Sequence, residues 1–184
     1  MEEQDLRSDE ELFQAWRKGE LESFRVLLAR YHWRLHKLIL CWTRNAQLSQ
    51  DLFQETWFRV IEHRQDFDPD RKFKSWLYAI ALNLCRDHFR KEKREKTDLA
   101  PELIARAIGR ENPETALIEK DRRQWLERAI AELSELEREV FMLRHFGGMT
   151  FQEISDLLGI NLNTALSRMH QAMGRLKHLL GEKP

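Results

Sequence analysis

Apolar residues recur at intervals of three and four along nearly the whole chain, which is the spacing of an amphipathic α-helix. The longest such segment runs from Leu21 to about Trp42 and presents one broad apolar face. The alternation of apolar and polar residues that is typical of a β-strand does not extend over a useful length anywhere. The pattern therefore predicts an all-α protein.

Capping residues indicate where several of these helices begin. In a capping box, a Ser or Thr side chain and a Glu side chain three residues later bond to each other's backbone N–H groups. The sequence has this spacing three times, at Ser8 with Glu11, at Ser134 with Glu137 and at Thr150 with Glu153. We expect Ser49 to cap the helix that carries Leu52 to Ile61, and Phe73 to about Lys91 to form the next helix.

The periodicity weakens between about residues 93 and 112, where Pro101 and Gly109 interrupt it. This segment is predicted to be a linker, with a short helical piece at 101–108. Helices at about 113–132 and 134–145 are expected to follow. The sequence thus predicts two small helical domains, 1–95 and 113–184, joined by a flexible linker at 96–112.

Charge is unevenly distributed, although 31 basic and 31 acidic residues give a net charge of zero. The N-terminus is acidic, whereas residues 86–96 form a basic run. A local basic patch attracts a polyanion, and a solvated helix face is the alternative explanation. The two cysteines, Cys41 and Cys85, have no Cys-x-x-Cys spacing, so they indicate a reduced cytosolic protein without a disulfide scaffold.

The sequence gives no indication of catalysis, a metal or a cofactor. His32 and His36 lie one helical turn apart, but no nearby carboxylate or thiol completes a ligand set, and their aromatic neighbours favour packing. A Gly-rich phosphate loop and a paired nucleophile and base are both missing. The absence of a signal peptide and of a membrane-length apolar run predicts a cytoplasmic protein without direct membrane insertion.

The segment from Thr150 to His170 predicts a helix-turn-helix. Gly159 fits the end of its first helix, because a left-handed residue there carries no Cβ penalty. The second helix has side chains that suit phosphates and base edges in a DNA major groove, namely Asn163, Thr164, Ser167, Arg168, His170 and Gln171. The alternative is a plain helical hairpin whose apolar residues only build a core. The two interpretations are compatible, because the same core can orient a DNA-recognition helix.

Two segments of the N-terminal half also carry candidate binding residues. Asp51, Gln54, Glu55 and Arg59 fall on or near one polar helix face. The segment 67–91 mixes aromatic with basic residues, a combination that suits single-stranded DNA. Its candidate DNA contacts are Arg71, Lys72, Phe73, Trp76, Asn83, Arg86, Arg90 and Lys91. Of the aromatic residues, most of Phe73, Trp76 and Phe89 are expected to lie in the core.

Taken together, these motifs resemble those of the extracytoplasmic-function (ECF) sigma factors, the smallest class of bacterial RNA polymerase specificity subunits. The first family motif is matched by Asp51, Gln54, Glu55, Trp57 and Arg59. The second is matched by Phe73, Trp76, Leu77, Ile80, Ala81, Asn83, Asp87 and Arg90. The C-terminal motif is matched by Leu136, Arg138, Val140, Phe141, Leu143, Arg144, Gly148, Glu153, Ile154, Leu158, Gly159, Thr164, Ser167, Arg168 and Ala172.

The resemblance implies three binding roles. The Asp51–Arg59 face would dock on the clamp helices of the largest subunit of core RNA polymerase, and the flap of the second-largest subunit would be a further contact. The loop at 65–72 would hold a flipped base of the minus-10 element, while Phe73, Trp76 and Asn83 would help to melt or read it. The basic side chains after this point would contact the phosphates of the DNA strand, namely those of Arg86, Arg90, Lys91, Lys93 and Arg94.

The resemblance further implies that residues 163–171 read the minus-35 element as duplex DNA and that the linker threads toward the active-site and RNA-exit channels of the polymerase. An anti-sigma factor is an expected partner. The chain departs from the family where Leu166 replaces a usual lysine, so one phosphate contact is missing, and where Gln171 replaces a usual arginine. We expect Asn163, Leu166 and Gln171 to determine its own minus-35 preference.

Two other interpretations remain open. A stand-alone helix-turn-helix regulator would explain the C-terminal half, but it needs neither the polar Asp51–Arg59 face nor the aromatic and basic helix. A protein-interaction adaptor with incidental basic patches would not show salt-dependent binding to promoter DNA.

Overall fold

The computed structural model describes residues 5–97, 126, 129–130 and 132–181. Backbone contacts divide the chain into two compact units, Met1–Phe89 and Arg90–Pro184. Within the described residues every regular element is an α-helix, which confirms the all-α prediction. The predicted helical piece at 101–108, most of the predicted linker and most of the helix at 113–132 lie outside the described residues.

The first unit is built from α1 (Asp9–Arg17), α2 (Leu21–Thr43), α3 (Ala46–Glu62) and the start of α4 (Phe73–Thr97). The long helix α2 packs against both α1 and α3. The capping box at Ser8 is confirmed, since the Ser8 hydroxyl accepts the Glu11 N–H and the Glu11 carboxylate accepts the Ser8 N–H. None of the described helices is both long and apolar enough to cross a lipid bilayer.

The prediction that Ser49 caps α3 is wrong. Asn45 is the capping residue, and its side-chain oxygen accepts the Leu48 N–H at 3.0 Å. Ser49 is buried one turn into the helix, where its hydroxyl donates to the carbonyl of Ala46 at 2.9 Å. The helix starts earlier because Arg44 turns the chain in a left-handed conformation at φ 51°, which leaves Asn45 extended and ready to cap.

Aromatic rings form the core of the first unit. Phe13 of α1 lies at its centre, with ring centroids 4.6 Å from Phe67, 5.1 Å from Phe73 and 5.7 Å from Trp76. Tyr31 of α2 contacts Phe73 edge-on, with ring centroids 5.7 Å apart. Edge-to-face contacts of this kind stabilise a core beyond the area that the rings bury, so α1, α2 and the start of α4 are held as one body.

The loop between α3 and α4 is tied to α1 at both of its ends. The Arg17 guanidinium donates to the carbonyls of Gln65 at 3.3 Å and Phe67 at 3.5 Å. At the other end, the Glu10 carboxylate accepts the Phe73 N–H at 3.1 Å and so satisfies a backbone donor in the first turn of α4. The loop backbone is therefore positioned by a helix far from it in sequence.

The second unit contains α5 (Glu135–His145), α6 (Phe151–Leu158) and α7 (Leu162–Gly181), which pack against one another. The predicted helix at 134–145 is confirmed, with Ser134 as its capping residue. Glu137 is buried and pairs with Arg175 at 3.4 Å. Burial opposes ionisation of Glu137, but hydrogen bonds from Ser134 and the charge of Arg175 outweigh it and lower the pKa of this carboxyl.

Candidate functional site

One face of α3 brings together the polar residues of the first motif. The side chains of Asp51, Gln54 and Glu55 are exposed, and Arg59 is half-buried and pairs with Glu55 at 3.0 Å. The aromatic residue of the same motif, Trp57, is only 4% exposed and belongs to the core. The motif therefore divides into an outward polar part and an inward aromatic part.

Phe58 was missed by sequence reasoning, although it lies in the middle of this polar face. Its side chain is 65% exposed. It follows Gln54 by four residues, Glu55 by three and Asp51 by seven, which are the spacings of helical neighbours. A phenylalanine this exposed among carboxylates is a feature of interaction surfaces. The i+3 and i+4 spacing was the available signal.

A second face, on α4, is formed by residues at intervals of seven. Trp76, Asn83 and Arg90 follow this spacing and so lie along one side of the helix with only a small angular drift. Asn83, Arg90 and Lys91 are exposed, whereas Trp76 and Arg86 are half-buried. The side chains of the remaining basic run, including Lys93 and Arg94, lie outside the described residues.

Phe73 requires a correction to the predicted set of DNA contacts. Its ring has no exposed surface and is enclosed by Phe13, Tyr31 and Phe67. A base could stack on it only if this core opened. The structure therefore gives Phe73 a packing role at the start of α4, in line with the expectation that most aromatic residues here are core.

Polar and charged side chains of the α3–α4 loop surround its buried anchor, Phe67. Gln65, Asp68 and Arg71 are exposed, and Arg71 pairs with Asp68 at 3.6 Å. Lys72 is also exposed and precedes α4. The loop thus presents polar groups from a backbone that is fixed on the inside.

The predicted helix-turn-helix is present as α6 and α7. The capping box of Thr150 and Glu153 starts α6, and Gly159 ends it in the left-handed conformation at φ 64°. Asn161, which was not predicted to have a role, starts α7 by accepting the Thr164 N–H at 2.7 Å. These local interactions determine the direction in which α7 leaves the turn.

The two sides of α7 differ sharply in burial. Ala165, Ala172 and Leu176 are buried against the rest of the unit. Four of the six predicted contact residues are exposed on the other side, and these are Asn163, Ser167, His170 and Gln171. The helix therefore presents polar side chains at its N-terminal end, where helix-turn-helix proteins contact base edges.

The other two predicted contacts, Thr164 and Arg168, are less available. The Thr164 hydroxyl donates to the Asn161 side chain at 2.9 Å, and the residue is half-buried. Arg168 is also half-buried, and it lies toward the inner side of α7 because it follows the buried Ala165 by three residues. A phosphate at the flank of the helix suits Arg168 better than a base edge at its centre.

The histidine pair on α2 packs as expected from its aromatic neighbours. His32 and His36 both meet the ring of Phe53 edge-on, at 5.0 and 5.8 Å. Burial, together with the charges of His32 and Lys37, lowers the pKa of His36. Among the described residues no group of three or more His, Cys, Asp or Glu side chains is arranged to hold a metal.

These faces define a class of protein that combines a helix-turn-helix unit with a helical unit bearing an acidic interaction face and a polar, partly basic helix. Comparison with known proteins narrows the class. The Sigma-70 region 2 family matches residues 27–95, and the Sigma-70, region 4 family matches residues 123–176.

Two relatives match almost end to end. RNA polymerase sigma factor CarQ of Myxococcus xanthus is 30% identical over 91% of this chain and 94% of its own length. ECF RNA polymerase sigma factor SigW of Bacillus subtilis is 26% identical over 89% of this chain and 92% of its own. The chain therefore belongs to the ECF family of sigma-70-type RNA polymerase sigma factors, which are transcription initiation factors.

Two solved structures share the fold. CnrH, in complex with the cytosolic domain of CnrY, has a TM-score of 0.73 and 25% identity, with 97% of this chain and 100% of that chain covered. The sigma factor RpoE of Bartonella quintana, in complex with the anti-sigma factor NepR, has a TM-score of 0.70 and 22% identity, with 89% and 99% covered.

Proposed function

We propose that this sigma factor binds core RNA polymerase through the outward face of α3, opens and reads the minus-10 element with α4 and the α3–α4 loop, and reads the minus-35 duplex with α7. In this proposal the N-terminal unit corresponds to about residues 1–95 and the DNA-reading C-terminal unit to about residues 113–184. The linker at 96–112 connects them and passes through polymerase channels.

The observation that carries the proposal is the outward face of α3. Asp51, Gln54 and Glu55 share this face with the exposed Phe58 and precede it by seven, four and three residues. Carboxylates beside an exposed apolar ring fit a basic protein surface with an apolar pocket, because the charges steer the encounter and burial of the ring provides affinity. Naked DNA would be repelled by the same carboxylates, so this face suits a protein, and we assign it to the clamp helices.

The minus-10 role rests on the shared face of Trp76, Asn83 and Arg90 on α4. An amide side chain can bond to an unpaired base, while a half-buried aromatic ring and a cation suit a stacked base and a phosphate. Arg86, Lys91, Arg71 and Lys72 extend this surface with positive charge. The adjoining loop at 65–72 is proposed to hold the flipped base on its fixed backbone.

Control by an anti-sigma factor is part of the proposal. The two structures that share the fold are recorded in complexes, one with the cytosolic domain of CnrY and one with the anti-sigma factor NepR. We infer that this chain has such a partner, which competes with core polymerase. We further propose that the protein acts in the cytoplasm and that any membrane attachment comes from this partner.

Transcription in vitro tests the proposal. Purified core polymerase with this chain is expected to start RNA synthesis at defined sites on genomic DNA, and alanine substitutions at Asp51, Gln54 and Glu55 together should weaken co-purification with core. A matched triple substitution at exposed charged residues of α2, Glu22, Arg25 and Arg34, should leave binding unchanged. Specific DNA binding without core, and no core-dependent start sites, would instead indicate a stand-alone regulator.

A further inference from the structure

Leu166 is an exposed leucine within the surface that we assign to base reading. Its side chain is 42% exposed, whereas the preceding residue, Ala165, is fully buried and holds α7 to the rest of the unit. Asn163 and His170 are its helical neighbours at spacings of three and four, Ser167 follows it directly in sequence, and all three are exposed. Leu166 thus lies among the polar side chains that face outward at the start of the helix.

The position of Leu166 along α7 is suited to base contacts. It is the fifth residue of the helix, and the N-terminal residues of a recognition helix are those that meet base edges in the major groove. Between residues 162 and 170 the sequence contains one lysine or arginine, Arg168, and it lies toward the inner side of the helix. The outward surface here has little charge with which to hold phosphates.

An apolar side chain in the major groove has one chemical partner among the four bases. The C5-methyl group of thymine is the apolar feature of the base edges, and the other groups presented there are hydrogen-bond donors and acceptors. A leucine placed against donors and acceptors would desolvate them without replacing their hydrogen bonds, which is unfavourable. Against a thymine methyl, both apolar surfaces leave water.

We propose that Leu166 is a specificity-determining residue that contacts the C5-methyl group of a thymine in the minus-35 element. The proposal rests on the assignment of α7 to the minus-35 duplex. Such a contact depends on the base pair, whereas a contact with a phosphate carries no sequence information.

The neighbouring asparagine extends the proposal to a short base pattern. Asn163 can bond to both N6 and N7 of adenine through its carboxamide. Three residues advance a helix by about 4.5 Å, compared with about 3.4 Å for one base-pair step. The adenine read by Asn163 and the thymine read by Leu166 are therefore expected in adjacent or next-but-one base pairs.

Two further apolar side chains on α7, Leu162 and Met173, are also exposed and suggest a competing explanation for the exposure of Leu166. Together with Leu166 they could form a stripe that binds an apolar protein surface. The groove assignment is favoured for Leu166 because it lies in the N-terminal part of α7, with the exposed polar residues Asn163 and His170 one turn before and one turn after it. Leu162 has no helical turn before it, and Met173 lies beyond the N-terminal part of the helix. Met173 lies two turns further on and serves as a control, with 49% of its surface exposed.

Deoxyuridine, which differs from thymidine only by the methyl group, tests the proposal at the level of one carbon atom. The minus-35 element is first defined by selecting promoters from a randomised library with the holoenzyme. Each thymine in the element is then replaced in turn by deoxyuridine, and holoenzyme affinity is measured. At one position the wild-type protein should bind about fourfold more weakly, the value of about one buried methyl group.

The variants distinguish the outcomes. Leu166→Ala should bind the thymine and deoxyuridine promoters equally, whereas Met173→Ala should retain the fourfold difference. Leu166→Lys should also lose the difference, and the logarithmic salt dependence of its DNA binding should steepen by about one phosphate contact. A helical, exposed position tolerates each change, and circular dichroism checks the fold.

The proposal is overturned if no position in the element shows a deoxyuridine effect, or if Leu166→Ala retains the full effect. In either case the stripe of Leu162, Leu166 and Met173 is assigned to protein contact. A failure of the assignment of α7 to the minus-35 duplex can be distinguished from these outcomes, because the holoenzyme would then select no minus-35 sequence from the library.

Discussion

Replacing Phe58 with alanine should weaken core-polymerase binding without weakening the fold. A phenylalanine side chain can bury on the order of 150–250 Å², and Phe58 leaves 65% of its surface exposed in the free protein. Roughly 100–160 Å² therefore remain available to a partner, worth about 2–3 kcal/mol at ~25 cal/mol per Å² after allowance for the alanine methyl group. The expected loss of affinity is roughly 30- to 140-fold.

The assay is a titration of the fluorescently labelled chain with core polymerase, read by anisotropy. Thermal unfolding of the free variant should be unchanged or slightly raised, because alanine is the better helix former by a few tenths of a kcal/mol. Leu21→Ala is the matched control, since Leu21 is 61% exposed but lies at the start of α2. It should bind core like the wild type.

Two outcomes would refute the reasoning. If Phe58→Ala binds core within twofold of the wild type while Asp51→Ala is impaired, the α3 face binds through its polar groups and Phe58 is no anchor. If Leu21→Ala loses as much affinity as Phe58→Ala, the effect reports general apolar adhesion instead of a defined interface.

Two further predictions concern α7 and α4. Gly159→Ala should lower the free energy of unfolding by about 1 kcal/mol, because Gly159 is left-handed at φ 64°. Gly174→Ala should raise it by up to about 1 kcal/mol, because Gly174 lies inside α7 with open space for a methyl group. Urea unfolding measures both changes, and the same sign for the two would contradict this prediction. Asn83→Ala should slow promoter opening about fivefold, because it removes roughly one hydrogen bond, while minus-35 binding is retained. The fluorescence of 2-aminopurine placed in the minus-10 element measures opening, and a normal opening rate would show that Asn83 does not have this role.

Local interactions were readable from the sequence. The capping boxes at Ser8, Ser134 and Thr150 and the left-handed turn at Gly159 depend on residues within four positions of each other, and all four were predicted. The prediction that Ser49 caps α3 failed because asparagine caps helices as well as serine does. The left-handed conformation of Arg44 makes Asn45 the cap, and it has no distinct sequence signal.

Which individual aromatic residues are buried could be determined only from the fold. Trp57 and Phe58 are adjacent, and a helix can bury only one of them on a given side; the core takes Trp57 because it meets Phe24 and Phe53. Phe73 was among the candidate DNA contacts although most of the aromatic residues in its segment were expected to be core, and the ring of Phe13 from α1 packs against it in the core. These outcomes depend on contacts across the unit, which no local pattern records.

The attachment of the α3–α4 loop to α1 has a consequence for how this family is divided into modules. The region 2 family match begins at residue 27 and so leaves out Glu10 and Arg17, the two side chains that hold the ends of the loop. A chimera that exchanges the loop while keeping the host's first helix would separate a loop from its own anchors. The exchangeable unit therefore starts at α1. On the role proposed for the loop, its promoter specificity is inherited together with a helix that need not contact DNA.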